Sequence, residues 1–427
     1  MKEPTMPSEI DLLRQLDPEP PQPSTIDISR AISAGRRRRV HRGLGYAGVA
    51  AVTTLAVAGA AVAVGQHHKP TNAVAASPSV KASPSKSALP KGNYTIPGTA
   101  GWAAPEAIPP TSCTIEKLAV PDGVKMAIVG ASDPSGSYFV GRSYPKNGYQ
   151  AVIWHNGTPT KVMLPGDLEE SLQDVNSSGD AVGWSWAPDS GATIAGAVPY
   201  AYADGKVVKL KGVARGEARA INDAGAIAGE DGTHALVWPS ATASPIQLPV
   251  PNGTKGATAT DIDEDGTVVG SLDLKVPYVW FPDGTYQALP LPTIDGKKAV
   301  GGRVFAIRNG WAMGVADLTE QSRAKGGGGA GDGAAVRWNV RTGDVQVTGD
   351  WDHMADAINA QGWQIGISKG KAALIAGGNR VLLPALADHP LDSLSTIPNA
   401  ISDDGKIIAG QSDDASDTIR AVVWHCK

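Results

Sequence analysis

Two cysteines in 427 residues leave room for one disulfide and exclude zinc sites built on paired Cys/His spacings. The stretches "GASDPSG" and "GISKG" fall short of a G-x-S-x-G elbow, and no H-E-x-x-H pair occurs, so the signatures of serine hydrolases and zinc proteases are missing. The glycine run "AKGGGGAGDG" at 324–333 lacks both the strand–loop–helix context and the terminal G-K-[ST] of a phosphate cradle, and reads as an insertion. No helical period of 3.6 runs through the long C-terminal part, which excludes helical repeats. Basic charge is also short there: residues 113–427 carry 26 basic and 35 acidic side chains, a net −9, which argues against nucleic acid as a partner. From these absences no catalytic residue, metal ligand or cofactor is assigned, and the chain is not expected to be an enzyme.

What is present begins with one long apolar run. From Gly43 to Gly65 there are 23 residues without a charge, enough to span about 30 Å of hydrocarbon at 1.5 Å per residue. Arg36–Arg39 and Arg42 precede it and Lys69 follows. The positive-inside rule then puts residues 1–42 in the cytoplasm and everything after the span outside. Cleavage after Ala61-Val62-Ala63 is the competing reading. Residues 66–112 are rich in Pro, Ser and Ala and are expected to act as a tether. In the tail, "SEIDLLRQLDP" and "TIDISRAISAG" read as short amphipathic helices that need a partner to order them.

Beyond the tether a pattern of the form A-I-N-x-x-G-x-x-x-G recurs seven times, with its first glycine at 136, 179, 225, 266, 310, 362 and 405. Spacings run from 41 to 52 residues, and five copies are followed by an apolar strand ending in Trp154, Trp238, Trp280, Trp338 or Trp424. A fourth short strand comes next, as in "TKVMLP" and "PIQLPV". Four strands per repeat joined by Asn/Asp/Gly turns predict an all-β, seven-bladed β-propeller over 113–427. The seventh unit stops after "AVVWHCK" without its fourth strand, while "CTIEKLAVP" at 113–121 stands as an orphan fourth strand before the first unit. Ring closure by that strand sets Cys113 beside Cys426, and a disulfide between them requires an oxidising compartment.

The units "AINDAGAIAGEDGTHALVW" and "DIDEDGTVVG" resemble the HAF repeats of bacterial extracellular proteins. His234-Ala235-Leu236 stands where that signature falls, in the third unit alone. The resemblance implies an extracellular repeat protein and brings no catalytic residue with it.

"DIDEDG" opens like a calcium loop at Asp261, Asp263 and Asp265, but Leu272 stands where the closing Glu belongs. His155, His234, His353 and His425 are scattered over several units. Four further tryptophans, Trp184, Trp186, Trp311 and Trp363, are the candidate ligand contacts, because Trp is enriched in binding hot spots. The expectation is a noncatalytic recognition platform at the bacterial cell envelope, with cell-wall glycan or an envelope protein as its ligand. Two alternatives stand beside it. One is a transmembrane sensor whose tail engages a cytoplasmic regulator in an anti-sigma-like manner. The other is a propeller enzyme with a site assembled from several blades.

Overall fold

Each repeat turns the chain through a glycine whose φ lies between 70° and 86°, a left-handed value that other residues adopt only at a cost. Two antiparallel strands flank each turn, and the sheet then adds two more. In the computed structural model, residues 96–99 and 102–427 are described, apart from 147, 167–168, 189–194, 321–332, 349–350, 353 and 390–393. The tail, the apolar run 43–65 and the tether up to residue 95 lie outside the described residues. Among those described, no helix is long and apolar enough to cross a membrane.

The structure is the expected ring of seven four-stranded sheets, with one extra two-stranded hairpin, Thr293–Ile294 with Lys297–Lys298. Blade 1 is Ala127–Ser132, Tyr138–Ser143, Gln150–His155 and Thr158–Val162, paired in chain order. The first strands of blades 2 to 7 are Glu170–Val175, Glu217–Ile221, Ala257–Ile262, Gly301–Arg308, Ala355–Ile358 and Thr396–Ile401. Each first strand touches the first strands of the blades on either side, in an unbroken cycle of seven, so these strands line the axis. Cys113–Lys117 supplies the fourth strand of blade 7, antiparallel to Ile419–Cys426 and with Cys113 opposite Cys426. The two cysteines form the expected disulfide, 313 residues apart in sequence and 4.0 Å apart at Cα.

Every first strand carries a bulge at the same place, at Gly130, Gln173, Arg219, Thr260, Phe305, Asp356 and Asn399. The second glycine of the repeat explains how the bulge fits. At Gly270 and Gly314 a Cβ would fall on the carbonyl oxygens of Thr258 and Arg303 in the neighbouring first strand, so the two strands approach too closely for any side chain.

The five strand-ending tryptophans are fully buried, and each indole N–H crosses to the preceding blade. Trp154 donates to Ala119 O, Trp238 to Lys211 O, Trp280 to Pro249 O, Trp338 to Pro290 O and Trp424 to Pro384 O, at 2.6–2.8 Å. Each one fills a seam with a large apolar ring and satisfies its one polar atom there. Blades 2 and 6 have Tyr202 and Ile375 in that position, so the 1–2 and 5–6 seams lack the bond. In the 5–6 seam Trp351, from the connection before blade 6, is 8% exposed and donates instead to Gln364 Oε1 at 3.4 Å.

Candidate functional site

The ring has two unlike ends. At one end lie the repeat turns, and here a side chain of each blade is fitted to the next. Asn222 accepts from Ala226 N of its own turn and donates to Asp263 O of blade 4. Asn359 likewise donates to Ser402 O and Asp403 O of blade 7. In blade 4 the same position is Asp263, because blade 5 turns in two residues and presents N–H groups: Asn309 N and Gly310 N donate to its carboxylate at 2.9 and 2.7 Å. The calcium-like run "DIDEDG" is thus distributed between a first strand and its turn, and among the described residues no group of His, Cys, Asp or Glu is placed to hold a metal.

Arg308 ties this end together. Its Nη1 donates to Glu264 of blade 4 at 2.7 Å, and its Nε and Nη2 fork onto Asp403 of blade 7 at 2.9 and 2.7 Å. Burial alone would weaken the positive charge of Arg308. The hydrogen bonds to Asp403 and the charges of Asp403 and Glu264 outweigh it and raise its pKa. Over the guanidinium lies Trp102, 4.6 Å from Arg308 Cζ to the ring centroid.

Trp102 belongs to a stretch that crosses this end of the ring. Ile96 is 2% exposed in the core shared by blades 3 and 4. Asn222 donates to Pro97 O, Thr99 N donates to Glu264 O, and Gln361 of blade 6 donates to Pro105 O. Thr111 N and Ser112 N then pair with Lys427 O beside the closing strand. The part of the 66–112 stretch that the structure describes is therefore a strap seated on the ring.

The opposite end carries the longer connections. Trp184 and Trp186 lie inside the second strand of blade 2, Ala181–Ala187, and not at the start of the connection that follows. They alternate with Ser185 on the same side as Val182, which packs in the 2–3 seam. Both rings are half-buried, and neither indole N–H has an acceptor among the described residues. At the same level of blade 3, Arg219 Nη2 holds Glu230 at 2.7 Å and Glu217 at 3.0 Å. Burial raises the Glu217 pKa, against the lowering effect of Arg219.

The other two candidates are placed at the turn end and serve seams. Trp311 stacks on Arg337, 4.6 Å from Cζ to ring centroid, and covers the turn at Gly362. Trp363 is 7% exposed and lies against the turn at Gly405. Tyr138 does the same at Gly179, so these rings continue one packing pattern around the ring. The structure thus brings Trp184 and Trp186 together and leaves Trp311 and Trp363 apart from them. His234 bonds to Asp231 through Nδ1 at 2.9 Å.

Two acids on the axis, Asp174 and Asp261, occupy equivalent positions just past the bulges of blades 2 and 4. Each accepts one N–H from the next blade, from Ile221 at 2.8 Å and from Ile307 at 2.7 Å. Burial raises both pKa values, with the charge of Asp261 adding to the effect on Asp174; Asp261 is pushed up to about 7. Sequence reasoning missed Asp174 and the Arg308 hub, and took Asp261 for the opening of a calcium-like turn.

No family model matches the chain, the HAF repeat included, and no curated protein matches it. Solved structures similar in shape include the extracellular domain of BT4673 from B. thetaiotaomicron, with TM-score 0.44 and 10% identity, covering 72% of this chain. This chain spans only 39% of that domain. An oligogalacturonate lyase in complex with manganese is similar at TM-score 0.44 and 11% identity, over 76% of this chain and 99% of that one. TolB from Acinetobacter baumannii follows at TM-score 0.34 and 12% identity, over 73% and 65%.

Proposed function

We propose that the protein is a noncatalytic recognition platform on the outer side of a bacterial membrane, held there by the apolar segment 43–65. The observation that carries this reading is the contrast between its tryptophans. Five are sealed in seams with their N–H groups satisfied, whereas Trp184 and Trp186, two positions apart on one side of a strand at the long-connection end, stay partly exposed and their N–H groups have no acceptor among the described residues. Aromatic rings with available donors, at the level of the Glu217–Arg219–Glu230 cluster, match the alternating CH faces and hydroxyls of a sugar chain. Cell-wall glycan is therefore the proposed ligand. The disulfide fits an oxidising compartment, in agreement with the orientation read from Arg36–Arg39.

The test is cosedimentation of the purified full-length chain with cell-wall material, with free glycan as competitor. Binding that is competed by glycan and lost in the Trp184→Ala/Trp186→Ala double variant is the expected result. Equal sedimentation of both forms, or none of either, removes the glycan assignment.

A further inference from the structure

Three of the seven bulge positions share one direction. In blade 4, the single hydroxyl proton of Thr260 has two carbonyls in reach, Val269 O of its own second strand at 3.2 Å and Val304 O of blade 5 at 3.0 Å. In blade 7, Asn399 Nδ2 donates to Val129 O of blade 1 at 2.7 Å. Even at Gly130 the direction is the same: a Cβ there would point between Val140 O and Leu172 O of blade 2, at 3.7 and 4.0 Å. In blades 1, 4 and 7 the bulge position therefore faces carbonyls of its own blade or the next, and in blades 4 and 7 a hydrogen-bond donor uses them. Blade 3 departs from this, since Arg219 bonds Glu230 and Glu217 instead.

Blade 6 has Asp356 there. Its register, Ala355 with Gly366 and Ala357 with Ile365, matches that of Thr260, so the facing carbonyls are those of Ile365 and, in blade 7, Pro398. An ionised carboxylate only accepts; Asp356 is partly exposed as a residue, but its Oδ2 is buried and has no hydrogen-bond partner among the described residues.

We propose that Asp356 is held as the neutral acid at neutral pH and donates its proton across the 6–7 seam, as Thr260 and Asn399 do elsewhere, so that alkaline pH loosens this seam. Burial alone pushes its pKa up to about 8. The charged groups on the elements packed around it are Arg303 and Arg308 on the first strand of blade 5 and Asp317 on its second. Arg308 is engaged by Glu264 and Asp403, and Arg303 approaches Asp317 at 3.9 Å. The first strand of blade 7 and the second strand of blade 6 contribute no charge.

The direction of the pH effect follows. An acid raised in the folded state favours folding fully below its unfolded value of about 3.9, and that contribution is lost as pH rises to about 8. Asp356→Asn keeps a donor at every pH. Thermal unfolding of the full chain should show equal midpoints for wild type and variant near pH 4, and a higher midpoint for the variant at pH 9. The infrared spectrum of the wild type at pH 6 should contain a protonated-carboxyl band that D356N lacks and that fades above pH 8. A midpoint difference independent of pH, or no such band in the wild type, overturns the proposal. Asp356→Thr, which copies blade 4, should reproduce the Asn result if the donor is what matters. A pH-dependent gap restricted to Asn counts against it.

Discussion

Five seams of the ring are closed by an indole that donates into the preceding blade, and two are not. In the 1–2 seam the position is Tyr202, and cohesion at the long-connection end comes instead from Arg142, which bonds Glu169 at 2.7 Å and lies 5.3 Å from the rings of Tyr144 and Tyr149. In the 5–6 seam Ile375 takes the position, and Trp351, from the connection before blade 6, packs in the same cluster. The comparison teaches that the repeat specifies a volume and a hydrogen bond, and that either can be supplied from outside the repeat. Among the described residues, Gln364 Nε2, Arg337 Nε and Thr348 Oγ1 on blades 5 and 6 are buried without a hydrogen-bond partner, as is Arg219 Nε on blade 3.

The largest effect should come from truncating a sealed indole. Trp280→Ala is expected to cost about 3–5 kcal/mol, read from denaturant unfolding, and Ile375→Ala in the other kind of seam about 1 kcal/mol. Equal costs would mean that the N–H bond and ring volume do not distinguish the seams. Next is the staple. Replacing Cys113 and Cys426 by Ser should remove about 2–4 kcal/mol. Blade 7 should nevertheless stay in the ring, because Trp154 and Trp424 close both its seams; hydrogen exchange should quicken in 113–117 and leave 419–426 protected. Smaller still is the attempt to convert one seam into the other. Ile375→Trp should destabilise by about 1–3 kcal/mol through overpacking, and adding Trp351→Ala should recover most of it if the two rings compete for one space. Least of all, Trp351→Phe should cost about 1 kcal/mol or less, since it removes one long hydrogen bond; a loss as large as that of Trp280→Ala would show Trp351 to be a full substitute for the missing indole.

The ring was legible in the sequence because its determinants are local and periodic. A left-handed turn admits glycine before other residues, a strand end that buries an indole shows a Trp, and the orphan strand "CTIEKLAVP" had one vacancy to fill. The turn-end strap was not legible. Its Pro/Ala composition matches a tether, and it binds through backbone carbonyls, one isoleucine and one tryptophan. The bulge residues were hidden for another reason: Gly, Gln, Arg, Thr, Phe, Asp and Asn share no property visible along the chain, and only the register reveals that they occupy one position. Arg308 bonds partners 44 and 95 residues away, a separation that no local pattern encodes. Of the four candidate tryptophans, Trp311 and Trp363 follow the turn glycines Gly310 and Gly362 while Trp184 follows the second glycine of its repeat, Gly183, so their ends of the ring were legible; that Trp363 is spent on a turn of the next blade was not.

The closing strand also sets a schedule. Cys113 is made 313 residues before Cys426, which at about 5–20 residues per second is a wait of roughly 15–60 s. Throughout that interval six blades can assemble, while 113–117 has no strand to pair with and its thiol no partner within the chain. A protein with more cysteines would risk trapping a wrong bond in that time. With two, every premature disulfide must join separate molecules, and the correct one can form only once the last blade has been made.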